Sequence, residues 1–248
     1  MLATLAQFRV RNGIASADTS YDAIATQVLQ GVSSQLARAA GRVDSGRPAL
    51  EKPSAAVTWY ATIDETSCQT IYVPHWPIVS VTSVKEALYG GHATATALVL
   101  NSDYQRDAGH GALRRIGYWM YGWQTVQVVY LGGHTPPTEA PAWVSGDDYV
   151  VADRCSYDGK VYDCILEIAD GTTAPSADAT HWTVSAGEVA LPDDLVEACL
   201  QQASFVWQRR DSLGLTGESA QGGSISAYAR DTLLPGVADI VRSYRRLM

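Results

Sequence analysis

Cys155 and Cys164 stand nine positions apart on either side of Asp158-Gly159, a spacing that admits three chemistries: a disulfide, a metal site or two free thiols. The Asp-Gly pair between Tyr157 and Val161-Tyr162 predicts a tight hairpin, because a type I′ turn needs positive φ at both central residues. A two-residue loop sets Tyr157 opposite Lys160 and Cys155 opposite Tyr162. Cys164 then lies diagonal to Cys155, roughly 7–8 Å away in a regular sheet. A disulfide needs a Cβ separation of about 4 Å, so that register opposes a bond. A four-residue loop, Asp158 to Val161, sets the cysteines directly opposite and permits one, and the sequence does not choose between the loops. Zinc sites use short ligand spacings such as C-x2-C, and none occurs here. The expectation is two reduced thiols packed as small hydrophobes in a protein assembled inside a reducing cell.

Other residues with chemical potential do not converge. His75, His92, His110, His134 and His181 share no motif spacing, and no G-x-S-x-G, H-E-x-x-H or phosphate-loop pattern is present. Gly109-His110-Gly111 and Gly132-Gly133-His134 read as turns that end strands. Of the paired acids, Asp193-Asp194 suit a helix N-terminus and Asp147-Asp148 a solvated turn. No catalytic, cofactor-binding or metal-binding residue is assigned, no cofactor is expected, and an enzyme is the weakest reading.

Composition sets the frame for these residues. The 248 residues are 46% hydrophobic and 18% charged, enough for one large core or two smaller ones. A formal charge of −8 argues against coating nucleic acid, which needs clustered Lys and Arg. The start, MLATLAQFRVRNG, lacks the basic-then-apolar pattern of a signal peptide, and no apolar run approaches a membrane span. Seven Trp and thirteen Tyr stand against two Phe, a bias toward amphipathic rings that suits both half-wet interfaces and β-rich segments.

Residues 19–42 predict an amphipathic helix through Ile24, Val28, Val32, Leu36 and Ala39/Ala40, with Thr19 and Asp22 as a capping box. A shorter helix, Leu2 to Arg11, precedes it and stops near Asn12-Gly13. From 57 to 131 the period falls to two, which predicts strands, with Pro74 and Pro77 marking an edge or a crossing between them. Residues 132–141 read as a linker and 142–185 as a compact aromatic-rich β unit. Residues 191–214 return to helix, with Pro192 at the first helical position and Val196, Cys199, Ala203 and Val206/Trp207 on one face. A flexible Gly/Ser-rich loop follows at 216–226, then a closing helix with Arg242, Arg245 and Arg246 in its last turns. The fold class expected is α+β, with a helical core, antiparallel strands and a small inserted all-β module.

With 136–188 set aside, the order of pieces becomes informative. A helix ending in ARAAGR is followed by a strand with Trp59, IYVPHWPIVSVTSV, DYQRD, GALRRI and VQVVYLGG. LPDDLVEACLQQASFVWQRR, a Gly/Ser loop and LPGVADIVRSYRRL close the chain. This order resembles the head-tail connector (adaptor) proteins of tailed bacteriophages and prophages over about 190 positions. It rests on Pro77-Ile78 with Val81 and Val84, on Tyr130-Leu131-Gly132-Gly133, and on Leu234-Pro235 with Tyr244-Arg245.

The resemblance implies a discontinuous connector domain, 1–135 and 189–248, in a non-enzymatic structural protein of the virion neck made in the host cytoplasm. The implied assembly is a ring of copies, a dodecamer, between the portal protein and the next neck or tail-completion protein, with DNA passing through the lumen. Carboxylates lining that channel would keep DNA from sticking. The C-terminal segment of such connectors docks on the portal, which implies that role for Leu234, Pro235, Arg242, Tyr244, Arg245 and Arg246. An ordinary closing helix, its basic end complementing the dipole, explains the same residues.

The insert, 136–188, is similar to the small chitin-binding-type carbohydrate module of bacterial chitinases through Trp143, Tyr149, Tyr157-Asp158-Gly159, Tyr162, Pro175 and Trp182. Where those modules carry an exposed aromatic pair this chain has Ile165-Leu166-Glu167-Ile168. Trp143, Tyr149, Tyr157, Tyr162 and Trp182 are therefore candidates either for facing a weakly bound glycan or for filling a small core, and core is favoured. The rival to the connector reading is a carbohydrate-binding or adhesin-like protein acting through 142–185.

Overall fold

Helical periodicity at both ends of the sequence yields four helices in the structure, a computed structural model describing residues 1–44, 47–88, 90–209, 218–219, 225–226 and 233–245. They are α1 (Leu5–Arg11), α2 (Asp22–Ala39), α3 (Asp193–Gln208) and α4 (Pro235–Ser243). Contacts divide the chain into two units, Met1–Gly41 with Pro192–Met248, and Arg42–Leu191.

In the first unit the capping box lies at α1, where Gln7 N donates to Thr4 Oγ1 at 3.1 Å and Thr4 N to Gln7 Oε1 at 2.8 Å. The box expected at Thr19 does not form: Tyr21 is the N-cap of α2 and makes no side-chain cap bond. Asp22 is held instead by Arg9, whose Nε donates to it at 3.1 Å. The buried stripe of α2 is Ala25, Leu29, Val32, Ser33, Leu36 and Ala37, about one position round from the expected one, and Ile24 is 50% exposed. The cause is a polar contact that hydrophobicity does not show. Ser33 Oγ accepts from Leu2 N at 3.0 Å, donates to Leu29 O at 2.7 Å and lies 3.8 Å from Cys199 Sγ of α3.

Pro192 is the N-cap of α3 rather than its first residue, with Asp193 and Asp194 in the first turn as the dipole favours. Leu195, Cys199, Ala203 and Trp207 are buried, while Val196 and Val206 are only half-buried. Trp207 meets Phe8 and Tyr21 edge-on, each at 5.6 Å. The stretch expected as a loop at 216–226 carries a short ladder, Glu218↔Ser226 and Ser219↔Ile225. The rest of that stretch lies outside the described residues.

The second unit holds the strands β1 (Val43–Asp44), β2 (Arg47–Pro48), β3 (Val57–Ile63), β4 (Thr70–Tyr72), β5 (Ile78–Glu86), β6 (Tyr104–Asp107), β7 (Ala112–Arg115), β8 (Gly122–Gly132), β9 (Asp147–Tyr149), β10 (Arg154–Tyr157), β11 (Lys160–Cys164), β12 (Ile168–Gly171) and β13 (Trp182–Val189). Every pairing between these strands is antiparallel, and with the helices they make the α+β class expected from the sequence. Sheets of order β3-β8-β5 and β4-β7-β6 enclose a core of Ile63, Val73, Ile78, Val84, Leu113, Val126, Val128 and Tyr130. Residues 73–77 carry the chain from β4 in one sheet to β5 in the other, so the proline-bearing segment is a crossing, and its Trp76-Pro77 bond is cis.

The glycines closing β8 are dictated by close backbone approach. A Cβ on Gly132 would stand 2.4 Å from His75 O, and one on Gly133, at φ +106°, 2.6 Å from the Glu51 carbonyl. Sheets of order β10-β11-β13 and β9-β12 follow.

Candidate functional site

The hairpin that opened the sequence question has the two-residue loop. Cys155 pairs with Tyr162 and Tyr157 with Lys160, and Asp158 and Gly159 sit at φ +50° and +72°. Cys164 is thus diagonal to Cys155, and both are free and buried. Burial, with Cys164 and Asp163 nearby, pushes the Cys155 thiol up to about 12, so it is a packed hydrophobe and not a nucleophile.

The aromatic residues of 142–185 spend their faces on one another. Tyr162 and Trp182 are buried with Cys155 and Cys164, and Trp143, Tyr149, Tyr157 and Ile168 pack against them. Trp143 and Tyr157 meet edge-to-face at 5.5 Å, Tyr149 and Trp182 at 5.0 Å. The Tyr149 hydroxyl accepts from Val144 N at 2.8 Å and donates to Val144 O at 3.2 Å. Solvent meets aliphatic residues instead, with Ile165 and Leu166 each 49% exposed. Asp147 and Asp148, read from sequence as a solvated turn, lie in the paired strand β9, where Asp148 Oδ1 accepts from Asp170 N at 2.9 Å.

No local pattern in the sequence marks the polar cluster around Glu188 on β13. Glu188 accepts from Lys52 Nζ at 3.0 Å, Arg154 Nη2 at 2.6 Å and Thr135 Oγ1 at 2.8 Å. Arg154 Nε also donates to Asp163 at 2.9 Å, and Lys52 Nζ lies 3.2 Å from Glu139. Burial alone would raise the Glu188 carboxyl, but the bonds from Arg154, Lys52 and Thr135 outweigh it and hold it below the usual carboxylate value. The cluster ties 136–188 to Lys52 and Thr135 of the preceding sequence. Gly187 allows the approach, since a Cβ there would stand 2.8 Å from Val79 O.

The C-terminal candidates divide. Val237 and Val241 are the buried face of α4, Leu234 N donates to Gln202 Oε1 of α3 at 3.0 Å, and the Tyr244 hydroxyl donates to Asp194 at 2.6 Å. Burial first, then that carboxylate, raises the Tyr244 pKa. Pro235, Arg242 and Arg245 face solvent, and Arg242 pairs with Asp239 one turn back, at 2.9 Å. Arg246 lies outside the described residues.

The histidines are dispersed. His110 bonds Asp107 and His181 bonds Asp178, each at 2.8 Å, while His75 and His134 approach backbone carbonyls at 3.3 Å. Among the described residues no three His, Cys, Asp or Glu side chains are grouped to hold a metal, and no helix is long and apolar enough to cross a membrane.

No protein-family model matches the chain, and neither does any curated protein. Solved structures do. A chain in the neck of an empty gene transfer agent (GTA) particle, computed with C6 symmetry, is similar at a TM-score of 0.48 and 14% identity, over 100% of this chain and 91% of that one. A chain in the virion of a native GTA particle is similar at 0.49 and 14%, with the same coverage. Likeness at this level establishes neither family nor function.

Proposed function

We propose that the chain is a structural, non-enzymatic subunit of the neck of a tailed-phage-like particle. Copies of it form a ring between the portal and the next neck or tail-completion protein, and DNA passes through the lumen. The observation that carries this reading is the meeting of the terminal pieces of the connector resemblance. The helix ending in ARAAGR, the LPDDLVEACL helix and the LPGVADIVRSY helix are separated by the strand-rich middle of the sequence, yet they fall in one helical unit. The exposed guanidiniums of Arg242 and Arg245 support a portal-docking role for that end. In this reading residues 136–188 are an insert fixed to its host through Glu188.

Glycan binding by 142–185 has less support, because the faces of Tyr162 and Trp182 are buried and those of Trp143 and Tyr149 are packed. Light scattering and negative-stain electron microscopy test the connector reading, on the protein alone and mixed with its portal. Rings with a central channel, or a stable complex with portal, are expected. A monomer indifferent to portal overturns it.

A further inference from the structure

Two exposed aromatic rings outside 142–185 stand beside a cavity. Trp123, 75% exposed, and Tyr60, 42% exposed, stand at a groove of about 720 Å³ lined also by Lys85, His92, Gln124 and Gln127. The sheet places three of these in a row. Gln127 on β8 is the cross-strand partner of Tyr60 on β3 and of Lys85 on β5.

Their polar groups are set for a ligand with both donors and acceptors. Gln127 Nε2 donates to the Tyr60 hydroxyl at 2.9 Å, which leaves Gln127 Oε1 to accept and the phenolic hydrogen to donate. Lys85 Nζ gives one of its three hydrogens to His92 O at 3.1 Å. His92 is 4% exposed, and its Nε2 is 3.0 Å from Gln124 O. A carbonyl only accepts, so Nε2 carries the hydrogen, and Nδ1 is a buried acceptor with no partner among the described residues. Gln124 itself is held at φ +48°, in the left-handed region that strained functional segments favour.

We infer that this groove binds an oligosaccharide, with Trp123 as the platform for a sugar ring and Gln127, Tyr60 and Lys85 as partners of its hydroxyls. A pyranose has an apolar C–H face for the indole and a rim of hydroxyls that both donate and accept. An apolar peptide would strip water from the amide and ammonium groups without replacing their bonds. A single lysine in a chain of charge −8 does not make a nucleic-acid groove. The inference is independent of the neck role and fails or stands without it.

Tryptophan fluorescence and titration calorimetry of the full chain, with chitohexaose, cellohexaose, maltohexaose and an oligothymidylate, test it, calorimetry reading the variant that lacks Trp123. At least one hexasaccharide should give a saturable change, and Trp123→Ala should weaken that binding about tenfold or more with no change in Tm, as expected for loss of a stacked anchor. Gln127→Ala should weaken the same saccharide while Trp123 still reports it. Four results overturn the assignment: no saturable change with any saccharide, binding undiminished in Trp123→Ala, response to the oligothymidylate alone, or loss of self-association in Trp123→Ala with no saccharide bound.

Discussion

Glu188 is the residue whose removal tests the most structure. Its carboxylate side chain is 15% exposed and Lys52 beside it 8%, so Glu188→Ala leaves a buried ammonium held by Glu139 and Arg154 held by Asp163. A buried charge left with no partner costs about 3–5 kcal/mol; Glu139 and Asp163 keep the loss below that ceiling, and a clear fall in Tm is expected at neutral pH. The acid side follows from the same bonds. A carboxyl whose folded pKa lies below its unfolded value of 4.5 adds stability above that value and loses it as pH falls through the folded pKa. His75 acts higher. Burial, offset in part by the Glu51 carbonyl and Asp44, lowers its pKa from 6.5, so the unfolded chain takes up the proton first and stability begins to fall below that pH. Thermal melts against pH should show two steps, and Glu188→Gln should flatten only the lower one. None of this was legible in the sequence: Lys52, Arg154 and Glu188 are remote from one another along the chain, and nothing local marks them as partners. Asp158-Gly159 was legible because its conformational demand is local.

At the scale of elements, glycines separate demands made by a turn from demands made by packing. Gly159 sits at φ +72° in open space, so Gly159→Ala meets only the cost of a left-handed alanine, about 1–2 kcal/mol. Gly133 combines φ +106° with backbone 2.6 Å from any Cβ, so Gly133→Ala must also displace the Glu51 carbonyl, which places its cost above about 3 kcal/mol. Urea melts of the two variants should differ in midpoint by that margin; equal midpoints would mean that the end of β8 relaxes freely. Element types and order were readable from period two and period 3.6. Faces were less so: the α2 stripe turned about one position because Ser33, polar in type, is buried by its bond to Leu2 N. The Thr19 box was displaced for a similar reason, an ion pair from Arg9 to Asp22 that crosses between helices.

At the scale of the molecule, the connector resemblance implies a discontinuous domain of 1–135 with 189–248, while contacts group Met1–Gly41 with Pro192–Met248 as the helical unit. The function of that unit turns on which part of α4 is free. Leu234 and Tyr244 are engaged with α3, so their substitution would confound docking with folding. Arg242, its side chain 73% exposed, and the exposed Arg245 carry no such burden. Reversing both, Arg242→Glu with Arg245→Glu, should leave the unfolding free energy within about 0.5 kcal/mol of the parent's, as for surface changes elsewhere. If the end of the chain meets an acidic portal surface, the same variant should bind portal far more weakly, and parental binding should fall with salt as rim charges predict. Wild-type binding in the double variant would leave Arg242 and Arg245 as complements to the dipole of a closing helix, and would move the search for the portal contact elsewhere on the chain.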